Sequence, residues 1–117
     1  MGKLSTHILD VSQGKPAAGV GITLYRIEAQ ARQLLVLTTS NADGRCSAPL
    51  LEGQAMMPGL YELEFGAGDY FAAQGVALPE PRFLDRITLA FGIADSSASY
   101  HVPLLMSPWS YSTYRGS

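Results

Sequence analysis

The chain has two histidines, His7 and His101, and both fall in segments predicted to be strands. Imidazole is the side chain best suited to exchange a proton near neutral pH. A single histidine on a strand face is nevertheless most often structural, and whether these two meet depends on a topology that residue periodicity does not supply. A structural zinc site needs four ligands, and the sequence has no Cys-His cluster, so we expect no metal.

Two arginines stand where charge can be presented to a ligand. Arg45 directly follows a predicted turn over 41–44, and Arg115 precedes Gly116 and the last residue, Ser117. Taken alone, Arg45 is interpreted as a solvated charge at a turn exit and Arg115 as part of a frayed tail. The phosphate-binding loop, the Gly-x-Ser-x-Gly elbow and the HExxH motif are all missing from the sequence.

Length and composition limit the class of protein. The 117 residues suffice for a single domain, 1–117, and 47% hydrophobic content with only 15% charged residues predicts a packed core. A net charge of -2 with no basic cluster argues against a nucleic-acid partner. The single cysteine, Cys46, excludes an internal disulfide.

The termini and the uncharged stretches bear on location. No apolar segment follows Lys3, so we expect no secretory signal and a cytoplasmic protein. The longest stretch without Lys, Arg, Asp or Glu, 96–114, contains serines, two prolines and His101, so no membrane span is predicted.

Short β-branched and aromatic segments separated by turn residues predict an all-β sandwich of about eight strands. Leu60 to Phe65 is the clearest of these, because it alternates apolar and acidic residues. One short helix is predicted over Asp69 to Gln74, with Asp69 as its N-cap. The predicted strands are 4–11, 20–27, 34–39, a short strand from 45, 60–65, 86–91, 100–106 and 109–114.

Two segments near the ends of the chain resemble the transthyretin family. They are HILDVSQGKPAAGVGI over 7–22 and YHVPLLMSPWSYST over 100–113. The resemblance covers nearly the whole chain and implies the prealbumin-like two-sheet sandwich of eight strands. It also implies a homotetramer, a dimer of dimers with a channel lined by the first and seventh strands.

The family has a hormone-carrier branch and a 5-hydroxyisourate hydrolase branch, and four features are similar to the hydrolase. His7 stands where the carrier has lysine, Arg45 where it has glutamate, and His101 where it has threonine. The chain ends in the hydrolase tetrapeptide, Tyr114 to Ser117. The one departure noted is Met106 in place of leucine, which nearly conserves volume.

This resemblance implies hydrolysis of 5-hydroxyisourate to 2-oxo-4-hydroxy-4-carboxy-5-ureidoimidazoline in urate degradation. His7 and His101 would share the proton transfers, with the choice of base left open, and Arg45 would hold substrate and offset negative charge. The last four residues would close the site: Ser117 as a catalytic residue, and Tyr114, Arg115 and Gly116 as substrate-binding residues. Neither a metal nor an organic cofactor is expected, because water is the only second substrate.

Two alternatives keep the fold and change the function. The first is a non-enzymatic transthyretin-like protein that binds a small ligand in the channel, and the second is an interaction domain in which both histidines are inert. His7, Arg45 and His101 favour the hydrolase over both.

Overall fold

The computed structural model describes residues 2–116, which form two β-sheets packed face to face. The all-β sandwich with one short α-helix is therefore confirmed, with nine strands in the described part of the chain, two of them only two residues long. The strands are β1 (Lys3–Asp10), β2 (Lys15–Pro16), β3 (Gly21–Glu28), β4 (Ala31–Thr39), β5 (Leu51–Glu52), β6 (Gly59–Phe65), β7 (Ile87–Ile93), β8 (Tyr100–Met106) and β9 (Tyr111–Thr113). The α-helix, α1, spans Ala67–Ala73, and a single 3-10 turn spans Gly53–Ala55.

The first sheet has the order β2-β1-β8-β9, and β5 also pairs with β1. β1 and β8 run parallel, with Leu4 opposite Tyr100 and Asp10 opposite Met106. β2 and β5 pair with opposite ends of the other edge of β1 and leave a gap between them. This gap receives the turn that carries Arg45.

The second sheet has the order β4-β3-β6-β7, and its neighbouring strands are all antiparallel. Alternating residues of its strands enter the space between the sheets, as shown by Ile22 and Leu24 on β3 and by Leu63 and Phe65 on β6, all fully buried. Leu4, Ile8 and Leu104 of the first sheet meet them there. Burial of an aliphatic or aromatic side chain of this size contributes about 1.5–3 kcal/mol, so this layer dominates stability.

Three predicted elements differ from the structure. The predicted strand from Arg45 is a single bridge residue paired with His7. The predicted N-cap Asp69 is wrong, because α1 begins at Ala67 with Gly66 as its N-cap. The last strand is shorter than predicted and begins at Tyr111. Among residues 2–116, no helix has the length and apolar character needed to cross a bilayer.

Candidate active site

The parallel pairing of β1 with β8 brings the two histidines to one face of the first sheet. Ser5 lies opposite His101, and His7 lies opposite Pro103. Residues directly opposite each other on paired strands project to the same face, and so do residues two apart on one strand. His7 and His101 therefore lie diagonally across two neighbouring strands on the outer face, while the alternate residues Thr6 and Ile8 are buried.

Arg45 is placed beside His7 by the turn that fills the gap between β2 and β5. His7 and Arg45 form an antiparallel bridge, and the Ile8 backbone N–H donates to the Gly44 carbonyl at 2.7 Å. Gly44 has φ +75°, and a Cβ at this position would collide with the Ile8 carbonyl oxygen. Glycine at 44 is thus what allows the turn to approach β1 and deliver Arg45 to the histidines.

The ring of His7 is oriented by the same turn. Its Nε2 lies 2.8 Å from the backbone carbonyl oxygen of Asp43. A carbonyl can only accept a hydrogen bond, so Nε2 carries the proton of the neutral ring. The other nitrogen, Nδ1, then has a lone pair that is able to take a proton.

The ring of His101 is half-buried and held by a different kind of partner. Its Nδ1 lies 2.8 Å from the Ser5 hydroxyl. Burial lowers the pKa of His101 below its usual value, and the nearby positive charges of Arg45 and His7 lower this pKa further. His101 is therefore predominantly neutral at pH 7.

A polar cleft of about 440 Å³ opens beside His101, which we call the histidine cleft. It is lined by Lys3, Ser5, Arg45, Pro49, Ser99, Tyr100 and His101. Arg45 and His101 thus share one concave surface, and His7 lies next to it, paired with Arg45. Its volume falls within the usual range for small-molecule sites.

The C-terminal tail passes over His101. The Gly116 backbone N–H donates to the His101 carbonyl at 2.7 Å. A Cβ at Gly116 would lie 2.7 Å from Cδ2 of the His101 ring, so only glycine permits this approach. Ser117, a predicted catalytic residue, lies outside the described residues.

Tyr114 and Arg115 line a neighbouring cleft instead of the histidine cleft. This more apolar space of about 370 Å³, the tyrosine cleft, also includes Phe91 and Tyr100. The Arg115 guanidinium lies 4.1 Å from the centre of the Tyr100 ring, and its Nη2 donates to the Ser99 carbonyl at 3.3 Å. Tyr100 borders both clefts and Ser99 lines the histidine cleft, so Arg115 packs behind the wall of the histidine cleft.

Sequence reasoning missed five of the residues that line the histidine cleft: Lys3, Ser5, Pro49, Ser99 and Tyr100. Alternate residues of a strand share a face, so Ser5 and Lys3 lie on the same face of β1 as His7 and could have been indicated by this period of two. The Asp43 carbonyl leaves no side-chain signal in the sequence. No group of three His, Cys, Asp or Glu residues with metal-binding geometry occurs within 2–116.

Comparison with known proteins agrees with the fold. The family model described as Transthyretin: HIUase/Transthyretin family matches residues 4–116. The chain belongs to this family.

Individual relatives include both branches. The chain is 58% identical to a 5-hydroxyisourate hydrolase of Ralstonia nicotianae, over 100% of both chains. It is similar to the structure of Klebsiella pneumoniae 5-hydroxyisourate hydrolase, with 37% identity, a TM-score of 0.82 and 100% of both chains covered. A sea bream transthyretin solved in complex with thyroxine is 26% identical, with a TM-score of 0.87 over 97% of this chain and 94% of that one.

Proposed function

We propose that the chain, as a single domain, hydrolyses 5-hydroxyisourate to 2-oxo-4-hydroxy-4-carboxy-5-ureidoimidazoline. The observation that carries this proposal is the presence of Arg45 and His101 in one cleft, with His7 bridged to Arg45. Identity of 58% over the full length with a named hydrolase supports the same activity. The reaction belongs to urate degradation.

Water adds to a ring carbonyl carbon of the substrate, and the adjacent C–N bond breaks. We assign His7 as the base, because the Asp43 carbonyl fixes its proton on Nε2 and leaves the Nδ1 lone pair to accept a proton from water. The protonated ring then returns this proton to the nitrogen that leaves. His101, on the neighbouring strand β8, assists ring opening.

Arg45 stabilises the negative charge that develops on the carbonyl oxygen. Its guanidinium stays charged at all relevant pH values and can donate two parallel hydrogen bonds to an oxopurine or a carboxylate. The product contains a new carboxylate, so the same charge favours both the transition state and the product. Lys3, at the edge of the histidine cleft, adds a second positive charge.

The tail closes the site in this proposal. The Gly116 N–H is bonded to the His101 carbonyl. Ser117, the next residue, is kept as the proposed catalytic residue that orients substrate or water. Tyr114 and Arg115 line the tyrosine cleft, and Arg115 acts on the site from behind by stacking on the Tyr100 ring, which lines both clefts.

We further propose a homotetramer, a dimer of dimers, with the sites at the interface between the dimers. β7 and β9 end their sheets, and Tyr111 and Tyr114 are large exposed aromatic residues at or next to β9. The histidine cleft lies on an open outer face, and a second dimer packed there would exclude water from it. Sedimentation equilibrium at micromolar concentration tests the tetramer.

Cytoplasmic location stays a prediction, which cell fractionation tests.

The alternative is a non-enzymatic protein that binds a small ligand on the same face. The likeness to a transthyretin in complex with thyroxine is the observation that favours it. The experiment that separates the two is the decay of fresh 5-hydroxyisourate, followed by ultraviolet absorbance. A hydrolase accelerates the decay at catalytic concentrations, whereas a binding protein leaves the rate unchanged.

A further inference from the structure

The hydroxyl of Ser5 is bonded to His101, but Ser5 has no role in the mechanism proposed above. Ser5 and His101 are directly opposite each other on β1 and β8, and Oγ lies 2.8 Å from Nδ1. Both residues line the histidine cleft. Within residues 2–116 this contact is the one hydrogen bond of the Ser5 hydroxyl.

We propose that Ser5 is a positioning residue that donates its hydroxyl proton to Nδ1 of His101 and so fixes the ring with its own proton on Nε2. The inference rests on the proposed hydrolase function. In this tautomer His101 presents an N–H donor to the substrate, where negative charge develops during hydrolysis.

The two histidines are then set in opposite tautomers by two different partners. The Asp43 carbonyl accepts from Nε2 of His7 and leaves a lone pair on Nδ1 of that ring. The Ser5 hydroxyl donates to Nδ1 of His101 and leaves a proton on Nε2. One ring can accept the proton of water while the other donates a hydrogen bond to the oxyanion or the leaving group.

Ionisation of His101 supports the donor role of Ser5. The side chains that line the histidine cleft with His101, or that act on the pKa of its ring, include the basic groups Lys3, Arg45 and His7 and no carboxylate. The ring therefore stays neutral, and a neutral ring can accept at one nitrogen. If Ser5 accepted instead, its own proton would have no partner among the described residues, and the lone pair on Nε2 of His101 would face the negative charge that develops on the substrate.

The chain offers a matched set of variants. Ser5→Val and Ser5→Thr have the same shape and both favour a strand, but only threonine keeps the hydroxyl. Thr6→Val is the control, because Thr6 Oγ1 donates to the Val102 carbonyl between the same two strands on the core side. Thr6→Val loses a hydroxyl bond without touching His101.

The first measurement is nitrogen-15 NMR of the His101 ring in the full-length protein above its pKa. We expect a protonated Nε2 and an acceptor Nδ1 in the wild type, in Ser5→Thr and in Thr6→Val, and a mixture of tautomers in Ser5→Val. A protonated Nδ1 in the neutral ring of the wild type overturns the proposal. This readout does not depend on activity, so it decides the role of Ser5 even where the wild type fails to hydrolyse 5-hydroxyisourate.

The second measurement is steady-state hydrolysis. Loss of one positioning hydrogen bond predicts about a tenfold fall in kcat for Ser5→Val, with KM changed less than about twofold because direct substrate contacts remain. Ser5→Thr restores most of kcat, and Thr6→Val lowers the melting temperature without lowering kcat. A Ser5→Val enzyme with wild-type kcat and a wild-type tautomer contradicts the proposal.

Discussion

The outer faces of both sheets carry basic side chains, but the two faces differ in whether these side chains are paired with carboxylates. On the second sheet, Arg32 pairs with Glu64 at 3.0 Å and with Glu62 at 3.6 Å, and Arg86 pairs with Glu64 at 3.5 Å. The Arg32 guanidinium also lies 3.7 Å from the centre of the Tyr25 ring. The positive charges of this face are thus already neutralised by the chain itself.

On the first sheet, the basic side chains are available to a ligand. No ion pair within residues 2–116 includes Lys3, His7, Arg45 or His101. Burial lowers the pKa of His101, and the neighbouring groups Arg45 and His7 lower this pKa further, as expected where like charges lie close together. Binding of an anion stabilises a face whose positive charges lack carboxylate partners, but it does not stabilise a face whose charges are already paired. The difference indicates which side of the sandwich carries chemistry.

Deletion of 115–117 is expected to have the largest effect on the first face. Without the tail, His101 loses its contact with Gly116 and the proposed catalytic residue Ser117 is removed, so kcat/KM falls about a hundredfold or more. Few core contacts depend on these residues, so the melting temperature changes by only a few degrees. Steady-state kinetics and thermal unfolding check both parts. Full activity of the truncated chain would remove the tail from the site.

A matched pair of arginine substitutions contrasts the faces directly. Arg45→Lys keeps the charge and loses the fork geometry, and we expect kcat/KM to fall about tenfold. Arg32→Lys makes the same change among paired charges on the second sheet, and activity stays within about twofold while stability falls by less than about 1 kcal/mol. Equal losses of activity in the two variants would erase the proposed distinction.

The charge of Arg45 is expected to be visible at His101 without any assay of activity. Replacing Arg45 with Gln removes a positive charge that disfavours protonated His101, so the pKa of His101 rises toward its usual value. Burial still holds it below that value. An NMR titration of the ring measures the shift, and Arg32→Gln serves as the control that leaves the titration unchanged. An unaltered His101 titration in Arg45→Gln would show that the two groups do not interact.

Cys46→Ser is expected to have the smallest effect. Cys46 adjoins Arg45 and is half-buried, and burial raises the pKa of its thiol, which keeps it protonated and unreactive at neutral pH. The substitution is nearly isosteric, so kcat/KM stays within about twofold of the wild type. A larger loss in the same hydrolysis assay would give the thiol a role that its environment does not indicate.

Residue periodicity predicted the faces of the strands but not their neighbours. A period of two along β1 implies that Ser5 and His7 share a face, but only the parallel pairing with β8 brings His101 beside them. Pairing between strands that are far apart in the sequence depends on long-range packing, about which a local pattern contains no information. The resemblance to a family, and not residue spacing, predicted that His7, Arg45 and His101 belong to one site.

The two errors in local elements have different causes. α1 begins before Asp69 because Ala67 and Gly68 are buried and the Gly68 N–H donates to the Asp85 carbonyl. The Asp69 carboxylate instead pairs with Arg82 at 2.7 Å. These contacts join groups whose proximity the sequence pattern does not encode. By contrast, β9 starts late for a local reason, because the Ser107 and Ser110 groups bond to each other in a turn.

The most direct test of the account follows the absorbance of freshly generated 5-hydroxyisourate with the wild type, with His101→Asn and without protein. We expect rapid decay with the wild type and, with His101→Asn, a rate at least about a hundredfold lower and close to the spontaneous one. Circular dichroism confirms that both proteins are folded. A folded and assembled wild type that leaves the decay at its spontaneous rate would contradict the hydrolase function and favour a ligand-binding protein.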